Sequence, residues 1–208
     1  MKFITVPSAT YELGWRFTSD LSSAAAATLA TLVPPSEMVT RFSPHRKVAL
    51  ATFEIASTSV TFRSVLGDPY EIDGLSTIEA LCDLVDTKLA SDNLRLPTED
   101  ELEAAAGGTL FAWGMELPDG IPYGTGTSFV RHKEPNALGL AFAGDPYQVE
   151  ICRHALKFGD GGSSICGSEP WPMAWLSLSP SFRLGNRDVA ECFPETLEAA
   201  FIRPVRRG

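Results

Sequence analysis

The stretch Arg95-Leu-Pro-Thr-Glu-Asp-Glu-Leu-Glu-Ala-Ala-Ala-Gly-Gly108 constrains the fold more than any other part of the chain. Pro97 keeps Leu96 extended, because the proline ring crowds a helical residue before it. The Thr98 hydroxyl can accept the backbone N–H of Glu101 while the Glu101 carboxylate reaches back, which makes a capping box. Glu99, Asp100 and Glu101 put negative charge on the positive end of the helix dipole. Ala104 to Ala106 propagate the helix, and Gly107-Gly108 ends it. The residues therefore predict a loop that delivers a short, well-capped helix over 98–106.

Together with Phe111-Ala-Trp-Gly114, this stretch resembles the RLPTE signature of the formylglycine-generating enzyme family. Other words of that family occur in the same order along the chain. Pro44-His45-Arg46-Lys47-Val48, Phe53-Glu-Ile55 and Val60-Thr61 look like its N-terminal strand pattern, and Thr77 to Leu89 like the helix before the signature loop. Asn136-Ala-Leu-Gly-Leu140 matches the NxxGL turn, and Gly161-Gly-Ser-Ser-Ile-Cys166 the loop that holds the active cysteine. Phe201-Ile-Arg-Pro-Val-Arg206 resembles the closing strand. The resemblance implies a loop-rich α+β fold of the C-type-lectin-like type, as one domain over residues 1–208.

A length of 208 residues suits one domain with room for a hydrophobic core. The 17 glycines and 15 prolines fit a turn-rich chain. A formal charge of −9 argues against nucleic acid or an anionic membrane as partner, and favours a basic one. The N-terminus lacks the apolar run and cleavage site of a signal peptide. The Ala-rich segment Ser22 to Val33 is too short to cross a bilayer and reads as a surface helix ended by Pro34-Pro35. Cys82, Cys152, Cys166 and Cys192 contain no C-x-x-C pair, so free thiols and a cytoplasmic location are expected.

Patterning predicts strands near Lys2–Val6, Val48–Ile55 and Ser59–Val65, and a helix near Leu21–Leu32. A second helix is expected over Thr77–Leu89, with Ile78, Leu81, Leu84, Val85 and Leu89 near helical spacing. After the signature helix, short strands are expected at Leu138–Phe142, Tyr147–Cys152, Trp175–Leu178 and Phe201–Val205. They lie among long loops of the kind that often carry function.

The resemblance implies a copper site made by two cysteines spaced C-x₄-C, since paired thiolates suit soft Cu(I). Cys166 matches the first, but the second position holds Trp171. The family's GNVWEW strand reads Asp145-Pro-Tyr-Gln-Val-Glu-Ile-Cys152, in which Glu150 is retained. Between Leu117 and Asn136 only Asp119 and Glu134 supply carboxylates for a hard cation such as calcium. His45, His132 and His154 match no iron facial triad, and Arg131, Lys133 and Arg153 stand beside the latter two. Ser163 and Ser164 lack a recognisable nucleophile elbow. Cys166 reads as a small residue packed under its loop rather than a reactive thiolate, because Asp160 and Glu169 nearby oppose ionisation.

These departures point to recognition in place of chemistry: no catalytic residue, no metal and no cofactor. The chain resembles the non-catalytic branch of the family that acts as immunity proteins beside type VI secretion toxins. The partner expected is a basic cognate toxin, such as a nuclease, which an acidic surface would attract quickly. Candidate contacts are Asp145, Tyr147, Asp160, Glu169 and Trp171, in the segments that depart most from the enzyme pattern. Trp175, in contrast, reads as core. The alternative is a copper or non-heme iron oxidase with an altered site, in which Cys166 and Ser163 would carry the chemistry. A lectin-like receptor is a third reading and would call for an export signal.

Overall fold

The computed structural model describes residues 1–16, 27, 36, 40–67, 77–118, 120, 122, 129–142, 147–160, 162–166, 171–184 and 200–207. Among the described residues three small sheets form, most of them joining strands far apart in the chain. β1 (Phe3–Val6) pairs with β4 (Phe53–Ala56), which pairs with β10 (Val205–Arg206), which pairs with β6 (Leu94–Arg95), all antiparallel. A ribbon joins β2 (Ala9–Leu13) to β3 (Arg46–Leu50). The third sheet has the order β5 (Val60–Thr61), β9 (Ala200–Ile202), β7 (Val149–Cys152), β8 (Ala155–Lys157), with β7 and β9 parallel.

Helices fill the spaces between them. Thr61 caps α1 (Phe62–Leu66) by accepting from the Ser64 N–H, and Thr77 caps α2 (Ile78–Ala90) by accepting from the Ala80 N–H. α3 (Glu99–Ala106) has both halves of the capping box at Thr98 and Glu101, and Gly107 ends it at φ 102°, a left-handed conformation natural to glycine. A 3-10 turn at Arg131–Lys133 comes next, and α4 (Ser163–Cys166) and α5 (Trp171–Leu176) lie beyond it. The architecture is a mixed α+β domain. Among the described residues no helix is long and apolar enough to cross a membrane.

Among the described residues two apolar clusters form the core. In one, Leu81, Val85 and Leu89 of α2 join Val149, Ile151 and Ile202 of the third sheet, together with Phe111 and Trp175. In the other, Leu102, Ala105 and Ala106 of α3 lie against Val6, Phe53, Ile55 and Val205 of the first sheet. The two sheets are stapled where the chain passes from β9 to β10. Arg203 and Glu150 are both fully buried and form a two-pronged pair at 2.8 and 2.7 Å. Arg203 also donates to the carbonyls of Ala56 and Ala141 and lies over the Phe142 ring.

Several sequence expectations need correction. The segment 48–55 is two strands, β3 and β4, separated at Ala51 and Thr52. The run Ser59–Val65 is a strand only as far as Thr61, whose hydroxyl caps residues 62–66 as α1. Trp175–Leu178 is no strand: Trp175 and Leu176 belong to α5, and Pro172 sits in its first turn, where proline is tolerated. Leu138–Phe142 is a turn that touches Thr58 through an isolated bridge at Ala141. The expected helix at Leu21–Leu32 lies outside the described residues, apart from Ala27. The strands β2, β6 and β8 have no counterpart among the expected elements.

Candidate functional site

The acidic face of α3 is occupied by the scaffold itself. Glu101 accepts from both terminal Arg95 nitrogens, at 2.7 and 2.6 Å, as well as from the Thr98 N–H at 2.8 Å. Asp100 pairs with Arg46, and Glu99 with Arg183 and Lys157. Glu103 is 2% exposed and accepts from the Gly14 N–H, the Ser43 hydroxyl and Lys157. The buried Lys157 ammonium gives its three donors to Glu99 at 2.6 Å, Glu103 at 2.7 Å and the Pro180 carbonyl at 3.0 Å. Burial alone would raise the Glu99 carboxyl, but hydrogen bonds and charge from Arg183 and Lys157 outweigh it and hold the group at about 2. These carboxylates bind the chain to itself.

The loop that carries Cys166 has a different character. Asp160 is 5% exposed and accepts the Gly162 and Ser164 N–H groups at 3.0 and 2.9 Å, so it organises the start of α4. It does not present charge to solvent, contrary to the expectation from sequence. Cys166 is exposed at the end of α4, which corrects its reading as a residue packed beneath the loop. Its Sγ lies 3.5 Å from the Tyr147 hydroxyl, and Tyr147 is 40% exposed. The Tyr147 ring lies directly on Gly162, where an added Cβ would meet it at 2.2 Å. Trp171 opens α5 partly buried against the core, and Trp175 is fully buried. Ser163 is the first residue of α4; Asp145 and Glu169 lie outside the described residues.

Among the described residues a two-thiolate copper site does not fit this loop; Cys192 lies outside them. Trp171 stands where the resemblance calls for a second thiolate, and Cys152 sits fully buried in β7, its thiol pushed up by burial and donating to the Ala155 carbonyl. Cys82 is likewise buried and raised for the same reason. Among the described residues no three His, Cys, Asp or Glu side chains gather as a metal cluster. Asn136, the hard oxygen donor of the NxxGL turn, already accepts the Leu138 and Leu140 N–H groups and donates to the Ala105 carbonyl.

A cleft of about 290 Å³ opens at the C-terminal end of α3, between Ala106, Gly107, Trp113, Arg131, Glu134 and Leu138. Trp113 is braced on one side by Phe111, stacked at 4.3 Å, and by Phe129 and Trp175 beyond. Arg131 donates to Glu116 at 3.1 Å and to the Trp113 carbonyl at 2.9 Å. Sequence reasoning missed this cleft. Its walls were visible only as the words Phe111-Ala-Trp-Gly114 and Asn136-Ala-Leu-Gly-Leu140, with nothing to say that they face each other.

No family model and no curated protein matches the chain. Among solved structures it is similar to Treponema denticola variable protein 1, with 14% sequence identity and a TM-score of 0.49, over 99% of this chain and 95% of that one.

Proposed function

We propose that the chain is a non-catalytic binding protein on a C-type-lectin-like, formylglycine-generating-enzyme-type scaffold. In this reading it is a cytoplasmic immunity protein that neutralises a basic secreted toxin by direct contact. The observation that carries the reading is the contrast between α3 and the Cys166 loop. The residues of the RLPTE word are engaged in internal ion pairs, whereas the position of the second copper cysteine is a tryptophan packed against the core. One fold can host catalysis in one protein and recognition in another, which supports the reading. Tyr147 and Trp171 are the proposed contacts, Asp145 and Glu169 remain candidates from the sequence alone, and the net charge of −9 supplies steering toward a basic partner.

Coexpression with the product of the adjacent gene is the test. A stable complex and rescue of growth support the reading; a harmless neighbour, or one that does not bind, overturns it. The alternative, an oxidase with an altered metal site, draws on the exposed Cys166 thiol beside the Tyr147 hydroxyl. Stoichiometric copper or iron in purified protein, lost in Cys166→Ser, would favour it.

A further inference from the structure

We infer that the cleft at the end of α3 receives a basic side chain, arginine or lysine, from a protein partner. Its size is the first constraint. At about 290 Å³ it falls at the lower edge of small-molecule sites, which run from about 300 to 1,000 Å³, and it suits one long side chain. Its electrostatics are the second. Ala106 and Gly107 bring the negative end of the α3 dipole to the wall, and Glu134 adds a carboxylate there. The guanidinium in the lining, Arg131, already binds Glu116 and the Trp113 carbonyl, so it braces the wall rather than attracting an anion.

The apolar surface is the third constraint. Trp113, Ala137 and Leu138 line the cleft, and the exposed Met115 and Val130 adjoin the lining residues Gly114 and Arg131 in sequence. Lysine and arginine place a hydrocarbon stem on such a surface while the charged head reaches the polar end. A cation near an indole gains further attraction. Rigidity completes the case. The Asn136 side chain ties the 136–140 turn to the Ala105 carbonyl at 2.8 Å, and Phe111 holds Trp113 from behind, so little ordering is left to binding.

The inference rests on the proposed function only for the source of the side chain, and its test has two arms. In the first, N-acetyl-arginine-N-methylamide is titrated into isotope-labelled protein and monitored by NMR. Saturable shifts are expected at Gly107, the Trp113 indole and Glu134, weaker in Glu134→Gln and absent in Ala137→Trp, which fills the cleft. No local shift, or equal shifts from the norleucine or glutamate analogue, would overturn the inference. In the second, Ala137→Trp should weaken the complex with the adjacent gene's product at least tenfold while its melting temperature stays unchanged. Unaltered affinity would overturn the docking inference and leave the immunity reading standing. If the arginine probe binds and the neighbour does not, the cleft's preference is upheld and the immunity reading fails.

Discussion

Replacing Arg203 by Met should be among the most damaging single changes in the chain. Its guanidinium and the Glu150 carboxylate are both fully buried, and they join β7 of the third sheet to the crossing into β10. Removing one member leaves the other charge buried without the group that balances it, a loss of roughly 3–5 kcal/mol. The carbonyls of Ala56 and Ala141 lose their donors as well, at about 1–3 kcal/mol each where no water replaces them, although such losses are not additive. Glu150→Leu should cost a similar amount for the pair alone. The double variant removes both charges, so it should be less destabilised than the two singles combined, with a coupling energy of about 2 kcal/mol or more. Urea unfolding monitored by tryptophan fluorescence measures all four species. Additive effects, or single variants each within about 1 kcal/mol of wild type, would refute the view that this pair staples the sheets.

Acid should weaken the fold in a defined window. The Glu99 carboxyl lies at about 2 in the folded protein against an ordinary 4.5, so its stabilisation is complete above 4.5 and is lost as pH falls toward 2. The amount is on the order of 3 kcal/mol, and Glu99→Gln should flatten that part of a stability-against-pH curve; an unchanged curve would contradict the assignment. Thr98→Ala removes the helix cap and should cost about 1 kcal/mol by chemical denaturation, with no loss contradicting it. Gly162→Ala should be poorly tolerated, because φ is 84° there and the new methyl meets the Tyr147 ring. Tyr147→Ala should recover only the steric part of that loss in thermal melts. Under native conditions Cys166 should react with iodoacetamide well before Cys82 or Cys152, which are buried with raised thiols; equal rates by peptide mass mapping would argue against the placement.

Local chemistry was readable in the chain. Thr98, Glu101 and Gly107 fix both ends of α3 through contacts a few residues apart, and the structure places that helix as expected, packed on a small sheet. The apolar spacing of α2 was legible for the same reason. Pairings across long separations could not be read. Lys157 reaches Glu99 and Glu103 from another segment, and Arg203 meets Glu150, so carboxylates that look solvated in sequence are buried and paired. Asp160 misleads in the same way: an acidic residue in a loop resembles surface charge until the backbone N–H groups it caps are known. Trp175-Leu-Ser-Leu178 is a short apolar run that suits a buried strand or a buried helix equally, and all four residues are buried. At the site, Trp171 was legible where the resemblance calls for a second cysteine, while the cleft beside α3 depends on two turns meeting in space.

Toxin binding through Tyr147 and Trp171 is a proposal, and the dissociation rate of the complex tests it most directly. Purified protein should form a complex with the adjacent gene's product at submicromolar concentration in surface-based kinetics. Trp171→Ala should release it on the order of 30-fold faster, as expected for a hot spot of about 2 kcal/mol. Failure of the wild-type protein to bind at micromolar concentration would contradict the account.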